Sequence, residues 1–126
     1  QHGQAVLFDG HSIKSELPWL FDGTLPHMNL GTVGGTSCAP PLRDALAGVF
    51  GAQTRYTQVV DGRFKGGHIT RHFGQPQQGI HAVQLEMCWR AYMSEDAPYR
   101  WSDERAAEVT PLLKQLVQTM LAWRPA

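Results

Sequence analysis

The strongest pattern of apolar and polar positions runs over Ile80-His81-Ala82-Val83-Gln84-Leu85-Glu86-Met87-Cys88. Period-two alternation predicts a strand with Ile80, Ala82, Gln84, Glu86 and Cys88 on one face and Val83, Leu85 and Met87 on the other. A shorter run, Ala5-Val6-Leu7-Phe8, turns abruptly polar at Asp9-Gly10-His11-Ser12. Four apolar residues between polar flanks predict a buried strand, parallel in an α/β sheet, with Asp9 and His11 at its carboxyl end. Met28–Thr32 reads as a short strand. Tyr56–Val60 reads as another, from its β-branched and aromatic residues.

Helical spacing appears twice. Leu42, Ala45, Leu46 and Val49 predict a helix over Pro41–Phe50, opened by Pro40-Pro41. Leu112, Leu113, Leu116, Val117, Met120, Leu121 and Trp123 make a broad apolar stripe and predict a packing helix over residues 103–123. Ser102 is its N-cap, and Asp103 and Glu104 suit the first turn. Pro111 is awkward inside a helix, and one kinked helix is the preferred reading.

Between these elements the chain is loop-rich. Residues 13–27 hold two prolines and an Asp22-Gly23 turn signal, with Leu17, Trp19, Leu20 and Phe21 as apolar anchors. They read as a self-packed loop or as a pocket wall beside His11. Gly34-Gly35 lacks the following Gly-Lys-Ser/Thr of a phosphate loop and reads as a tight backbone path or a close approach. Residues 63–74, from Arg63 to Gly74, read as one loop in which Arg71 and Arg63 stand near Gly66-Gly67. Such charges usually form a solvated face. An Arg beside backbone N–H groups also makes a carboxylate clamp.

Composition changes this picture little. The 126 residues suffice for one small domain with a core, and 11 basic against 11 acidic side chains leave no formal net charge. Charge therefore gives no case for nucleic acid or a membrane surface, and no apolar run is long enough to span a bilayer. Cys38 and Cys88 lack clustered zinc-finger spacing and read as free thiols in a reducing, cytoplasmic setting. The chain begins with Gln1 and runs almost at once into its first strand, as a piece of something longer would.

The candidate chemistry is a neutral imidazole, His11, as a zinc ligand, with Asp9 and Ser12 as its supports. Glu86 is a carboxylate on a largely buried strand. A salt bridge to Arg90 or Arg71 would explain it. The alternative is a general base facing a metal-bound water.

Asp9-Gly10-His11-Ser12-Ile13, Leu20-Phe21-Asp22-Gly23, Leu25-Pro26, Asn29-Leu30-Gly31-Thr32, the run from Lys65 to Arg71 and Gln84-Leu85-Glu86 closely resemble the N-formylglutamate deformylase family, in the same order. The resemblance implies an α/β domain of the zinc carboxypeptidase and aspartoacylase type, with a mixed, largely parallel sheet flanked by helices. It implies hydrolysis of N-formyl-L-glutamate to formate and L-glutamate in histidine breakdown. His11 would be one zinc ligand and Glu86 the general base. Arg71, or else Arg63, would bind the substrate carboxylate, with Asn29, Gly66 and Gly67 lining the substrate site. The family's early His-x-x-Glu pair has no counterpart here, so two zinc ligands would lie in an absent N-terminal half. That half could be another chain, and a second copy of this chain could instead cover the open sheet. Three alternatives remain: a hydrolase of another N-acyl amino acid, an incomplete fragment acting as a binding module, and a hydrolase based on Ser12.

Overall fold

The computed structural model describes residues 2–126. Its elements are β1 (Ala5–Ile13), β2 (Met28–Gly31), α1 (Pro40–Gly51), β3 (Gln58–Val60), α2 (His68–Phe73), β4 (Ile80–Cys88) and α3 (Asp103–Ala122). The four strands form one sheet in the order β1-β4-β2-β3. β1 runs parallel to β4 and β2 parallel to β3, while β2 and β4 are antiparallel. The expected mixed, largely parallel sheet is what the chain forms.

β4 is the spine, and its alternation works as the sequence predicts. Val83 and Leu85 join Met28 and Leu30 of β2 in the main core. α1 supplies Leu42, Leu46 and Phe50 to that core, and α3 supplies Val109, Leu112, Leu116 and Met120. Both faces of β4 are covered, because α2 and a second cluster of Phe21, Leu25 and Cys88 pack on the other side.

β1 departs from expectation. It continues through Asp9 and His11 to Ile13, so these residues lie within the strand rather than beyond its end. It is also an edge strand, with Leu7 and Phe8 partly exposed, instead of a buried one. The turn to polar residues after Phe8 marks a change of environment on a continuing strand, because edge positions tolerate polar side chains on either face.

The helices bear out their patterns with shifted limits. α1 covers Pro40–Gly51, and His81 on β4 closes its start, its Nδ1 accepting the Ala39 N–H at 3.0 Å. α3 runs unbroken through Pro111, and the Ser102 hydroxyl accepts the Arg105 N–H. Its stripe is wider than its buried face: Val117 and Leu121 are exposed. Trp19 is likewise exposed instead of anchoring its loop. The third strand is shorter than expected, Gln58–Val60. Residues 68–73 form a six-residue helix inside what reads as a loop. It is too short to show a 3.6-residue repeat and is flanked by glycines. The two thiols are free and buried, and burial raises each to about 11.

Candidate active site

The register of the sheet assembles the polar residues. His11 stands opposite Glu86, and Asp9 opposite Gln84, across the β1–β4 pair. On the other side of β4, Asn29 stands opposite Glu86 and Gly31 opposite Gln84. Side chains two apart along a strand share a face. Asp9, His11, Asn29, Gln84 and Glu86 therefore share the face that α2 partly covers.

Asp9 supports His11 directly, with Nε2 of the imidazole 2.8 Å from Asp9 Oδ2. An ionised carboxylate only accepts, so in the neutral ring Nε2 carries the proton and Nδ1 keeps its lone pair. Ser12 falls on the opposite face, its hydroxyl 2.7 Å from the Tyr92 hydroxyl. It does not share the face of His11, and Tyr92 is its partner there.

Glu86 is 8% exposed. Among the described residues its carboxylate makes no ion pair; the pairs present are Asp9–His11, Arg43–Asp61 and Arg55–Glu108. The salt-bridge explanation is thus removed. Arg90 donates to the Leu25 carbonyl and Arg71 to the Gly66 carbonyl. Burial holds the Glu86 carboxyl above its ordinary range, with nearby His11 opposing and Asp9 adding to the rise. A carboxyl so placed accepts and returns a proton more readily near neutral pH than an exposed one does.

Asn29 is 1% exposed, and its Nδ2 donates to the carbonyl oxygens of Pro26 (2.9 Å) and Glu86 (3.1 Å). It ties β2 to β4 at the site. Gly31 lets the next wall come close, since a Cβ there would sit 2.7 Å from the Lys65 carbonyl carbon. Gly66 follows at φ +123°, a conformation suited to glycine. The Gly67 N–H then donates to Gln84 Oε1 at 3.0 Å. By contrast, Gly34 and Gly35 only turn the chain, and a Cβ at either would meet nothing within 4 Å.

Arg63, Phe64, Lys65, Gly66, Gly67 and Arg71 line a recess of about 540 Å³. Three cations there, beside the Gly67 contact with Gln84, give the rim of the polar face a positive surface. Arg63 donates one nitrogen to the Leu20 carbonyl and stacks on Phe64, so it is held more firmly than Lys65. A larger cavity of about 830 Å³ lies elsewhere, between the start of β1 and the end of α3. It is lined by Val6, Phe8, Leu121 and Trp123 and stands apart from Glu86.

A hydrolytic zinc centre takes three protein ligands and an open position. Among the described residues no group of three or more His, Cys, Asp or Glu could hold a metal ion. His68 and His72 stack on each other in α2 (ring centroids 5.1 Å apart), and His81 is engaged with Ala39 on the opposite face. The donors on this chain therefore do not fit zinc by themselves. What the face offers alone is a carboxyl able to carry a proton, an oriented imidazole, fixed amides and a cationic rim.

Two residues escaped the sequence reading. Gln84 receives the Gly67 N–H; it stands in the Gln84-Leu85-Glu86 run, but its amide carries no ionisable group that would have given it a role there. Asp61 at φ +52° accepts the Thr32 N–H at 2.7 Å and pairs with Arg43, pinning β2 to the turn after β3. The Asp61-Gly62 turn signal was the available clue.

Comparison with known proteins gives a consistent result. The profile of the N-formylglutamate amidohydrolase family matches residues 1–93. An N-formylglutamate deformylase of Pseudomonas putida is 52% identical over 123 residues, covering 98% of this chain and 46% of that protein. One from Pseudomonas aeruginosa is 49% identical over the same span. The crystal structure of an N-formylglutamate amidohydrolase from Ralstonia eutropha JMP134 superposes with a TM-score of 0.74 at 22% identity, covering 95% of this chain and 42% of that one. This chain spans less than half the length of the relatives it matches.

Proposed function

Because the chain belongs to the N-formylglutamate amidohydrolase family, we propose that it carries the proton-transfer and carboxylate-binding part of an active site that hydrolyses N-formyl-L-glutamate to formate and L-glutamate. The observation that carries this reading is Glu86: a buried carboxyl without an ion pair, opposite His11 in the middle of the sheet. Structure alone gives little reason to bury a carboxyl unpaired, since desolvation disfavours its charged form. Proton exchange with a reacting group does give one.

In this reading Glu86 takes a proton from the attacking water and later gives it to the departing amino group of glutamate. The C–N bond of the formamide breaks, and the formyl carbon keeps the water oxygen as formate. Arg71, assisted by Arg63 and Lys65, holds a carboxylate of the substrate at the rim. Gly66 and Gly67 present backbone there, and Asn29 fixes the floor beneath Glu86. Asp9 orients His11.

His11 Nδ1 has no hydrogen-bond partner among the described residues, since only Nε2 meets Asp9. In our reading it contributes one ligand to a zinc site whose other ligands come from polypeptide outside this chain, as in the zinc carboxypeptidase type of domain. The open edge of β1, with Leu7 and Phe8 partly exposed, supports pairing with that polypeptide or with a second copy. Two free buried thiols support a reducing, cytoplasmic setting. The place in histidine breakdown follows from the substrate.

The test is a substrate panel on the longest polypeptide that carries this sequence. N-formyl-L-glutamate should release formate faster than N-acetyl-L-glutamate or a glutamyl peptide is cleaved. Equal or faster cleavage of the N-acetyl compound would move the assignment to another N-acyl amino acid.

A further inference from the structure

Gln84 sits two residues from Glu86 on β4, on the same face, about 6.5 Å along the strand. It is only 5% exposed. The direction of its amide is fixed by its partner. The Gly67 N–H can only donate, so the atom it meets at 3.0 Å is the oxygen, Oε1. The Thr70 hydroxyl lies 3.5 Å from that same oxygen. Nε2 is left with two N–H groups and no hydrogen-bond partner among the described residues, yet it is not sealed from solvent among the orphaned buried atoms.

A buried amide that spends its acceptor and keeps its donor is arranged to meet an acceptor from outside the chain. The neighbours narrow the choice. Asp9 lies across from Gln84 on one side, its Oδ2 engaged with His11 and neither of its oxygens hydrogen-bonded to Gln84 Nε2. Gly31 on the other side carries no side chain. A small carbonyl placed between Gln84 and Glu86 would have its oxygen within reach of Nε2 and its carbon within reach of a water held by Glu86.

We propose that Gln84 binds and orients the scissile formyl group, its Nε2 donating to the carbonyl oxygen on which negative charge develops during attack. This rests on the hydrolase reading above and adds a residue to it. A preorganised donor aimed at a developing oxyanion stabilises the transition state more than the ground state, so its loss falls mainly on kcat.

Two substitutions separate this role from a structural one. Gln84→Glu keeps the acceptor for the Gly67 N–H and, in its ionised form, removes the donor. Gln84→Met removes both at similar size. Each is made in the longest polypeptide carrying this sequence, and formate release and thermal unfolding are measured together. The proposal expects both variants to lose about 10²–10³-fold in kcat, with the unfolding midpoint lowered in each, because Gln84→Met leaves the Gly67 N–H without its acceptor and Gln84→Glu buries a carboxyl beside Asp9 and Glu86. If Gln84 only anchors Gly67, Gln84→Glu keeps activity within a few-fold while Gln84→Met loses stability and activity together. That pattern overturns the proposal and leaves the hydrolase reading standing. A folded wild-type protein that releases no formate overturns both.

Discussion

His11 on β1 and Glu86 on β4 are register partners, facing each other across one parallel strand pair although they belong to the first and last strands of the chain. The pairing sets an imidazole held by Asp9 next to a buried carboxyl that has no ion pair. Nothing in the main core requires this arrangement, since the core lies on the other face of the sheet. The polar face is thus free to serve chemistry while α1 and α3 hold the sheet from behind.

The Asp9–His11 contact fixes a tautomer. Nitrogen-detected NMR of this chain at neutral pH should show the proton of the neutral His11 ring on Nε2, facing Asp9 Oδ2 at 2.8 Å. Asp9→Ala should let the two tautomers mix. A proton on Nδ1 in the wild-type chain would remove that nitrogen as a metal ligand.

Zinc binding by this chain alone should be weak, because no group of three candidate ligands converges among the described residues. Equilibrium dialysis at micromolar zinc should show no saturable site of one ion per chain. Tight binding that survives His11→Ala would point to His68 and His72, which stack on α2.

Stability should fall as pH is lowered below neutrality. Burial lowers the pKa of His81 from 6.5, and burial together with Arg90 lowers that of His27, with Glu95 opposing. Each imidazole uses Nδ1 as an acceptor, from Ala39 N–H and Thr57 N–H respectively. The unfolded chain binds these protons more readily, so the stabilisation is full above about 6.5 and is lost as pH falls through the depressed folded-state values. Urea midpoints at pH 7.5 and 5.5 should differ in that direction. His81→Gln, whose amide oxygen can accept the Ala39 N–H, should flatten the difference in part. An unchanged pH dependence in His81→Gln would leave His27 as its source, working against Glu86, whose carboxyl is raised by burial and contributes in the opposite direction.

Gly31→Ala should cost about 1–3 kcal/mol in urea unfolding, the usual range for overpacking. Its methyl would meet the backbone of Lys65 at 2.7–2.8 Å. The same displacement pulls Gly67 away from Gln84, so activity in the longer polypeptide should fall too. A neutral effect on stability would show that the 65–67 wall moves easily.

What the sequence disclosed follows from physical signal strength. β4 was legible because its alternation spans nine residues and both of its faces are covered. α1 and α3 were legible from caps and helical spacing. β1 misled because an edge strand mixes polar and apolar residues without a clean period. α2 was hidden because six residues barely exceed one and a half turns. Within the site, His11, Asp9 and Glu86 stood out as ionisable groups in the right order. Gln84 did not, since only the direction of its hydrogen bond to Gly67 distinguishes it. Ser12 was grouped with His11 by adjacency, and the strand places neighbours on opposite faces.

The proposed role of Glu86 is to move the proton in formamide hydrolysis. The direct measurement is formate release from N-formyl-L-glutamate by the longest polypeptide carrying this sequence, wild type beside Glu86→Gln, with thermal unfolding recorded for both. The variant should lose about 10²–10⁴-fold, with an unfolding midpoint equal to or above that of wild type, since a buried unpaired carboxyl is removed. A folded Glu86→Gln protein that releases formate within a few-fold of wild type would contradict that role.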